Sequence, residues 1–195
     1  MQPIMTRRTL FILAAGSLVL FTLAGWFIMH FVGPVSLPQA FKYGDSLPLQ
    51  VLLGLMVGIL IGTLGWLLIN RPYLSSTKEF FVEIIGQWKL NWAEILFVSC
   101  CAGIGEEILF RGAVQPLIGI GWTSLLFVVL HGYINPFNPS MTVYGIFMVL
   151  AVAGMGWVAF HRGLVSAIVA HTVIDVILLY LLSRAYNTGH NLPSD

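Results

Sequence analysis

Six ionisable residues interrupt otherwise apolar stretches in the second half of the chain: Glu106, Glu107 and Arg111, then His131, then His171 and Asp175. The 195-residue sequence has only eight Asp or Glu and nine Lys or Arg. Two adjacent carboxylates on an apolar helix therefore need a reason, and an ionisable residue within a membrane segment marks a functional site by default. Carboxylates and imidazoles together suit hydrolysis. A carboxylate in an apolar cavity is a candidate general base for water, a nearby imidazole can orient that water and pass its proton, and a fixed donor can hold a developing oxyanion. Glu106 with His131 fits the first pair of tasks. His171 fits the oxyanion role. Asp175 donates there if protonated, and orients and charges His171 if ionised. Glu107 and Arg111 are four apart and share a helix face, so they can pair and leave Glu106 turned about 100° away.

A metal is the chemical alternative, because two histidines with two or three carboxylates can bind zinc. Neither HExxH nor its inverted form HxxEH occurs in the sequence, so no motif supports zinc. The expectation is a site without a cofactor, with a zinc-dependent membrane protease as the minority alternative.

The elements that must position these groups are membrane helices. The chain is 58% hydrophobic and 9% charged, with a mean hydropathy of +0.91, whereas a soluble domain carries about 25% charged residues. A net charge of +1 gives no case for nucleic acid. Cys100 and Cys101 are adjacent and point in different directions on a helix, which disfavours a disulfide framework. A span needs about 20 apolar residues, and six are expected: Leu10–Val32, Leu49–Ile69, Trp92 to about Ala113, a short one from Trp122 to about Ile134, Met141–Phe160 and Leu164–Leu182. The first is too long for the roughly 7–15-residue core of a signal peptide and reads as a retained helix. Gly33–Pro48 reads as a loop, Pro116–Gly121 as a turn, Asn135–Ser140 as a break and Tyr186–Asp195 as a loose polar tail. Asn70–Asn91, with Lys78, Glu79 and Glu83 interleaved with Phe80, Phe81, Ile84 and Ile85, reads as an additional interfacial helix, with Trp88 and Trp92 at headgroup level. Gly54, Gly58, Gly62 and Gly65 form a small-residue face for close helix packing. The fold class is thus all-α, a single polytopic transmembrane bundle over 1–195. With the N-terminus inside, six basic residues fall inside and three outside, which favours that orientation.

At ~1.5 Å rise per residue, Glu106, His131, His171 and Asp175 lie roughly 10–16 Å from the face that holds the turns at Pro116 and Arg162. Three helices thus bring ionisable groups to one layer. A proton or ion pathway would distribute them across the bilayer, so a single reaction site is favoured over transport.

These residues carry a family resemblance. Glu-Glu-x-x-x-Arg is met by Glu106, Glu107 and Arg111, extended as Phe110-Arg111-Gly112. Phe-x-x-x-His is met by Phe127 and His131, and His followed four residues on by Asn or Asp is met by His171 and Asp175. In this order, on successive apolar spans, they resemble the CPBP family of intramembrane proteases: the CAAX proteases and bacteriocin-processing (Abi) proteins, including the Rce1-type enzyme that trims prenylated proteins. The resemblance covers roughly 92–182, the expected catalytic core. It implies a glutamate-dependent endopeptidase without a catalytic metal, in which Glu106 and His131 activate water and His171 with Asp175 forms the oxyanion hole. Glu107, Arg111 and Phe127 support them. The prenyl-protein protease has Asn, a neutral donor, where this chain has Asp175. The implied partners are the lipid bilayer and a membrane-associated protein or peptide, with CAAX-type C-terminal processing as one form of the reaction. The expected location is a bacterial cytoplasmic membrane, crossed several times. The competing function is a non-catalytic membrane scaffold or bacteriocin self-immunity protein on the same fold.

Overall fold

The computed structural model describes residues 5–190, with side chains placed through residue 188. The regular structure of the described residues is all helical, with no strand: α1 (Arg7–Phe31), α2 (Leu37–Lys42), α3 (Leu47–Ile69), a 3-10 turn (Pro72–Leu74), α4 (Ser75–Gly86), α5 (Trp92–Glu107), a π-helical segment (Ile108–Val114), α6 (Gln115–Leu130), α7 (Pro139–Arg162) and α8 (Leu164–His190). The polytopic bundle is as expected. Two boundaries differ. The loop after α1 contains the short helix α2, started by a capping box between Ser36 and Gln39. The polar tail is helical through His190, because α8 continues past Leu182, and residues 191–195 lie outside the described residues.

Among the described residues five helical stretches, not six, are long and apolar enough to cross a membrane, and one of them is the continuous run Trp92–Leu130. The run cannot be straight. Gly119 has φ 81° and ψ 167°, a conformation open to glycine and costly for other residues, and the chain reverses there. The helical stretch beyond it, residues 120–130, rises only ~16 Å at helical pitch, about half of a ~30 Å hydrocarbon layer. The expected fourth span is therefore half a helix, and residues 131–138 complete the passage without helix. Such backbone is tolerated at membrane depth where protein or a cavity covers it.

Cross-links between elements show which ends lie together. At one end Arg7 pairs with Glu94, Trp88 Nε1 donates to the Met5 carbonyl at 3.1 Å, and Thr77 and Ser140 share a hydroxyl hydrogen bond of 2.6 Å. At the other, Arg162 pairs with Asp45 at 2.6 Å and the Val165 N–H donates to Gln50 Oε1 at 3.1 Å. The most extensive contact joins α3 and α8, and the glycine face explains it. A Cβ at Gly54 would meet the Ser166 carbonyl and Val169, and one at Gly58 the Ala170 carbonyl and Val173. Backbones thus approach closely along one stripe, and this face is used within the chain.

α4 lies at the end that holds the N-terminus of α5 and packs on α8. Its Phe81 faces inward onto Tyr133 and Tyr144 at 5.9 and 6.0 Å between ring centroids, while Glu79 and Glu83 are exposed. Trp92 is exposed and stacks on Tyr180 at 4.5 Å.

Candidate active site

Glu106 and Glu107 are the last two residues of α5 before the helix widens. The Gln115 N–H bonds the Phe110 carbonyl, five residues back, in the register of a π-helix, and such turns inside α-helices often sit at functional sites. Pro116 comes directly after. It has no N–H to give, and the widened turn lets the helix continue through it. Ile108, Phe110, Arg111, Gly112 and Ala113 are all buried. Nothing in the apolar pattern distinguished this segment from ordinary helix.

The two glutamates part company at once. The Glu107 side chain is fully buried, with Oε2 3.2 Å from Arg111 Nε and Oε1 2.8 Å from His171 Nδ1. Arg111 is likewise sealed, with its guanidinium 5.3 Å from the centroid of the Phe127 ring. A carboxylate out of water holds only if its partners are close and well directed, and here two cationic or donor groups meet it from two helices. The expected i, i+4 pairing of Glu107 with Arg111 is present.

Glu106 points elsewhere. Its Oε2 lies 3.4 Å from His131 Nε2, and the two side chains keep 13% and 31% of their exposure. His131 occupies the C-cap of α6. Gly132, at φ 74°, closes a Schellman turn in which the Gly132 N–H bonds the Val129 carbonyl and the Tyr133 N–H bonds the Val128 carbonyl, the arrangement that ends many helices at a glycine. The ring is fixed from its far side, because His131 Nδ1 is 2.7 Å from the Phe127 carbonyl. A carbonyl only accepts, so Nδ1 carries a hydrogen, and in the neutral imidazole Nε2 presents its lone pair to Glu106.

His171 and Asp175 share a face of α8. Nδ1 of His171 donates to Glu107, and Nε2 faces Asp175 Oδ2 at 3.7 Å. Phe127 joins all three motifs. Its ring stacks on His131 at 4.2 Å, meets His171 edge-on at 5.8 Å and Phe110 edge-on at 5.0 Å, and is itself buried. The structure thus brings together every residue the sequence singled out. Sequence reasoning passed over Tyr133 and Tyr144, which line a cavity with Asp175. Tyr133 also stacks on His131 at 5.8 Å. Its position two residues beyond His131 was a usable signal, whereas Tyr144 had none. Among the described residues no group of three or more His, Cys, Asp or Glu is placed to hold a metal ion together.

Residues 87–177 match the family model described as type II CAAX prenyl endopeptidase, Rce1-like, a segment that contains all three motifs. The match supports the family resemblance read from those motifs. No curated protein and no solved structure matches the chain. Among the described residues five helices are long and apolar enough to cross a membrane, which supports an integral membrane protein, and the matched segment is similar to CAAX-type membrane proteases.

Proposed function

We propose that this protein is an intramembrane endopeptidase in which Glu106 and His131 activate a water molecule. The observation that carries the reading is the pair itself: Glu106 Oε2 and His131 Nε2 at 3.4 Å, with the other imidazole nitrogen committed to the Phe127 carbonyl. A water lodged beside both atoms loses a proton to the pair as its oxygen attacks the substrate carbonyl. The C–N bond then breaks, and the stored proton goes to the leaving amine. Positioned acid–base groups of this kind contribute about 10²–10⁴-fold.

His171 and Asp175 serve the oxyanion. Nδ1 of His171 is occupied by Glu107, so only Nε2 is left to donate, and the role requires a proton there or on Asp175. Glu107 and Arg111 are positioning residues that fix the His171 ring. The reaction is taken as one without a metal. The substrate is a membrane-associated peptide or protein, with CAAX-type C-terminal processing as one candidate. Arg7, Arg8, Arg71, Lys78, Lys89 and Arg184 lie toward the α4 end, against Lys42 and Arg162 at the other, which supports an inside location for the α4 end.

The test is cleavage of a membrane-anchored peptide library by purified protein in bilayers, comparing wild type with Glu106→Gln and His131→Ala, with and without a chelator. Cleavage that survives chelation and is lost in both variants is the expected result. Loss on chelation with rescue by zinc overturns the metal-free mechanism. A folded wild type that cleaves nothing, while both variants keep its cellular phenotype, overturns the protease reading in favour of a scaffold or self-immunity protein.

A further inference from the structure

The widened turn leaves one backbone group without a helical donor. In an α-helical register the Gln115 N–H would serve the Arg111 carbonyl, but it goes to the Phe110 carbonyl instead. The next N–H in line belongs to position 116, which is Pro116 and has none. A buried carbonyl in that state finds its partner outside the ladder. Against it lies a cavity of about 540 Å³, within the size range of small-molecule sites, at the end of the bundle that holds the Arg162–Asp45 pair. Arg111 and Gln115 border this cavity together with Ala40 of α2, Phe160 of α7 and Leu164 of α8. Arg111 keeps 5% of its exposure and its side chain none, so its backbone is the part that meets the cavity. Gln115 is equally buried. Its Nε2 donates to the Gly156 carbonyl at 2.9 Å, and among the described residues its Oε1 has no hydrogen-bond partner.

We infer that this cavity binds an uncharged single-chain lipid with a hydroxyl-bearing head, its hydroxyls donating to the Arg111 carbonyl and to Gln115 Oε1 and its chain lying on the apolar walls. The inference does not depend on the protease reading. Two acceptors call for a donor head, and the neighbouring Arg111 guanidinium disfavours a cationic one, which leaves hydroxyls. Depth supports a lipid. Arg111 and Gln115 precede Gly119 by eight and four residues, so they lie roughly 12 and 6 Å from the turn, where lipid heads give way to chains. Access supports it too, because Val35 and Phe160 line the cavity and are themselves exposed on the outside of the bundle. Size selects one chain rather than two: at about 30 Å³ for a water-sized group, a space of about 540 Å³ holds roughly 18 of them.

The test is photolabelling of full-length protein in bilayers with a monoacylglycerol that carries a diazirine in its chain. Saturable labelling within residues 34–43, 111–116 or 159–164 is expected, competed by plain monoacylglycerol and not by the same lipid with both hydroxyls methylated. Pro116→Ala supplies the N–H that the Arg111 carbonyl lacks. It is expected to weaken binding by roughly 5–100-fold, the scale of one buried hydrogen bond, without lowering the unfolding midpoint. Gln115→Leu, which removes the second acceptor, should weaken it on the same scale. Ala40→Phe fills the space from α2 and should abolish the labelling. Equal competition by the methylated lipid overturns the hydroxyl head. Labelling that does not saturate, that maps only elsewhere, or that is unchanged in folded Pro116→Ala or Ala40→Phe overturns the site.

Discussion

Glu106 and Glu107 are neighbours in sequence, identical in chemistry, and opposite in circumstance. Glu107 is sealed between Arg111 and His171, with Oε1 hydrogen-bonded to His171 and Oε2 in ion-pair contact with Arg111. Glu106 faces an imidazole at 3.4 Å across a partly open site. The difference comes from helix geometry: a turn of about 100° per residue aims one carboxylate at the bundle interior and the other at the half-helix α6. A buried ion pair is a fixture, expensive to break and inert. A carboxylate that faces one partly exposed imidazole is, on the proposed mechanism, a reagent. On the proposed mechanism the doubled glutamate motif is one of each, with the fixture holding the imidazole that the reagent's substrate would meet.

The comparison can be broken at either residue. Glu106→Gln keeps shape and deletes the base, so turnover should fall by about 10²–10⁴-fold while thermal unfolding in detergent stays near wild type. If that variant instead unfolds and retains activity per folded molecule, the two roles are exchanged. Glu107→Gln leaves Arg111 buried without its counter-charge and should destabilise by about 3–5 kcal/mol, visible as a lower unfolding midpoint. Adding Arg111→Met should recover much of that loss, and strict additivity of the two changes in a double-mutant cycle would contradict direct pairing. Asp175 sharpens the oxyanion side. Asp175→Leu should cost about 10²–10³-fold in kcat, whereas Asp175→Asn, which always has a donor, should keep activity within about tenfold of wild type. Equal losses in both would remove Asp175 from the oxyanion role. The smallest effect marks the opposite extreme from Glu107: the Arg7–Glu94 pair, whose arginine side chain is half exposed, should contribute under about 1 kcal/mol, measured as the stability change in Arg7→Ala.

Much of the bundle and its site was legible in the residues because membrane helices constrain sequence so tightly. Long apolar runs gave the spans, and i, i+4 spacing gave the Glu107–Arg111 and His171–Asp175 alignments. The glycine spacing gave the face on which α8 lies. What escaped was geometry without a compositional mark. The π turn at Ile108–Val114 contains ordinary helix formers, and its register is set by the burial of its neighbours and by Pro116. Gly119 could not be told from Gly121 as the point of reversal, although only Gly119 has a positive φ. The depth estimates took Ala113 as the helix end, so they placed Glu106 nearer the turn than it lies. They still found one layer, because the half-length of α6 keeps His131 from rising past it. Tyr144 joined the site only through the packing of α7 against α4, which no local pattern records.

The short α6 also bears on how the protein is made. A segment of that length is a poor candidate for independent partitioning into lipid during synthesis, and its trailing, irregular backbone has unsatisfied polar groups until neighbouring helices enclose it. It must therefore settle after α7 has arrived to cover it. His131 rides on the end of that segment, so Glu106 meets its partner only in the finished bundle, and on the proposed mechanism a half-built chain cannot cleave the membrane proteins of its own cell.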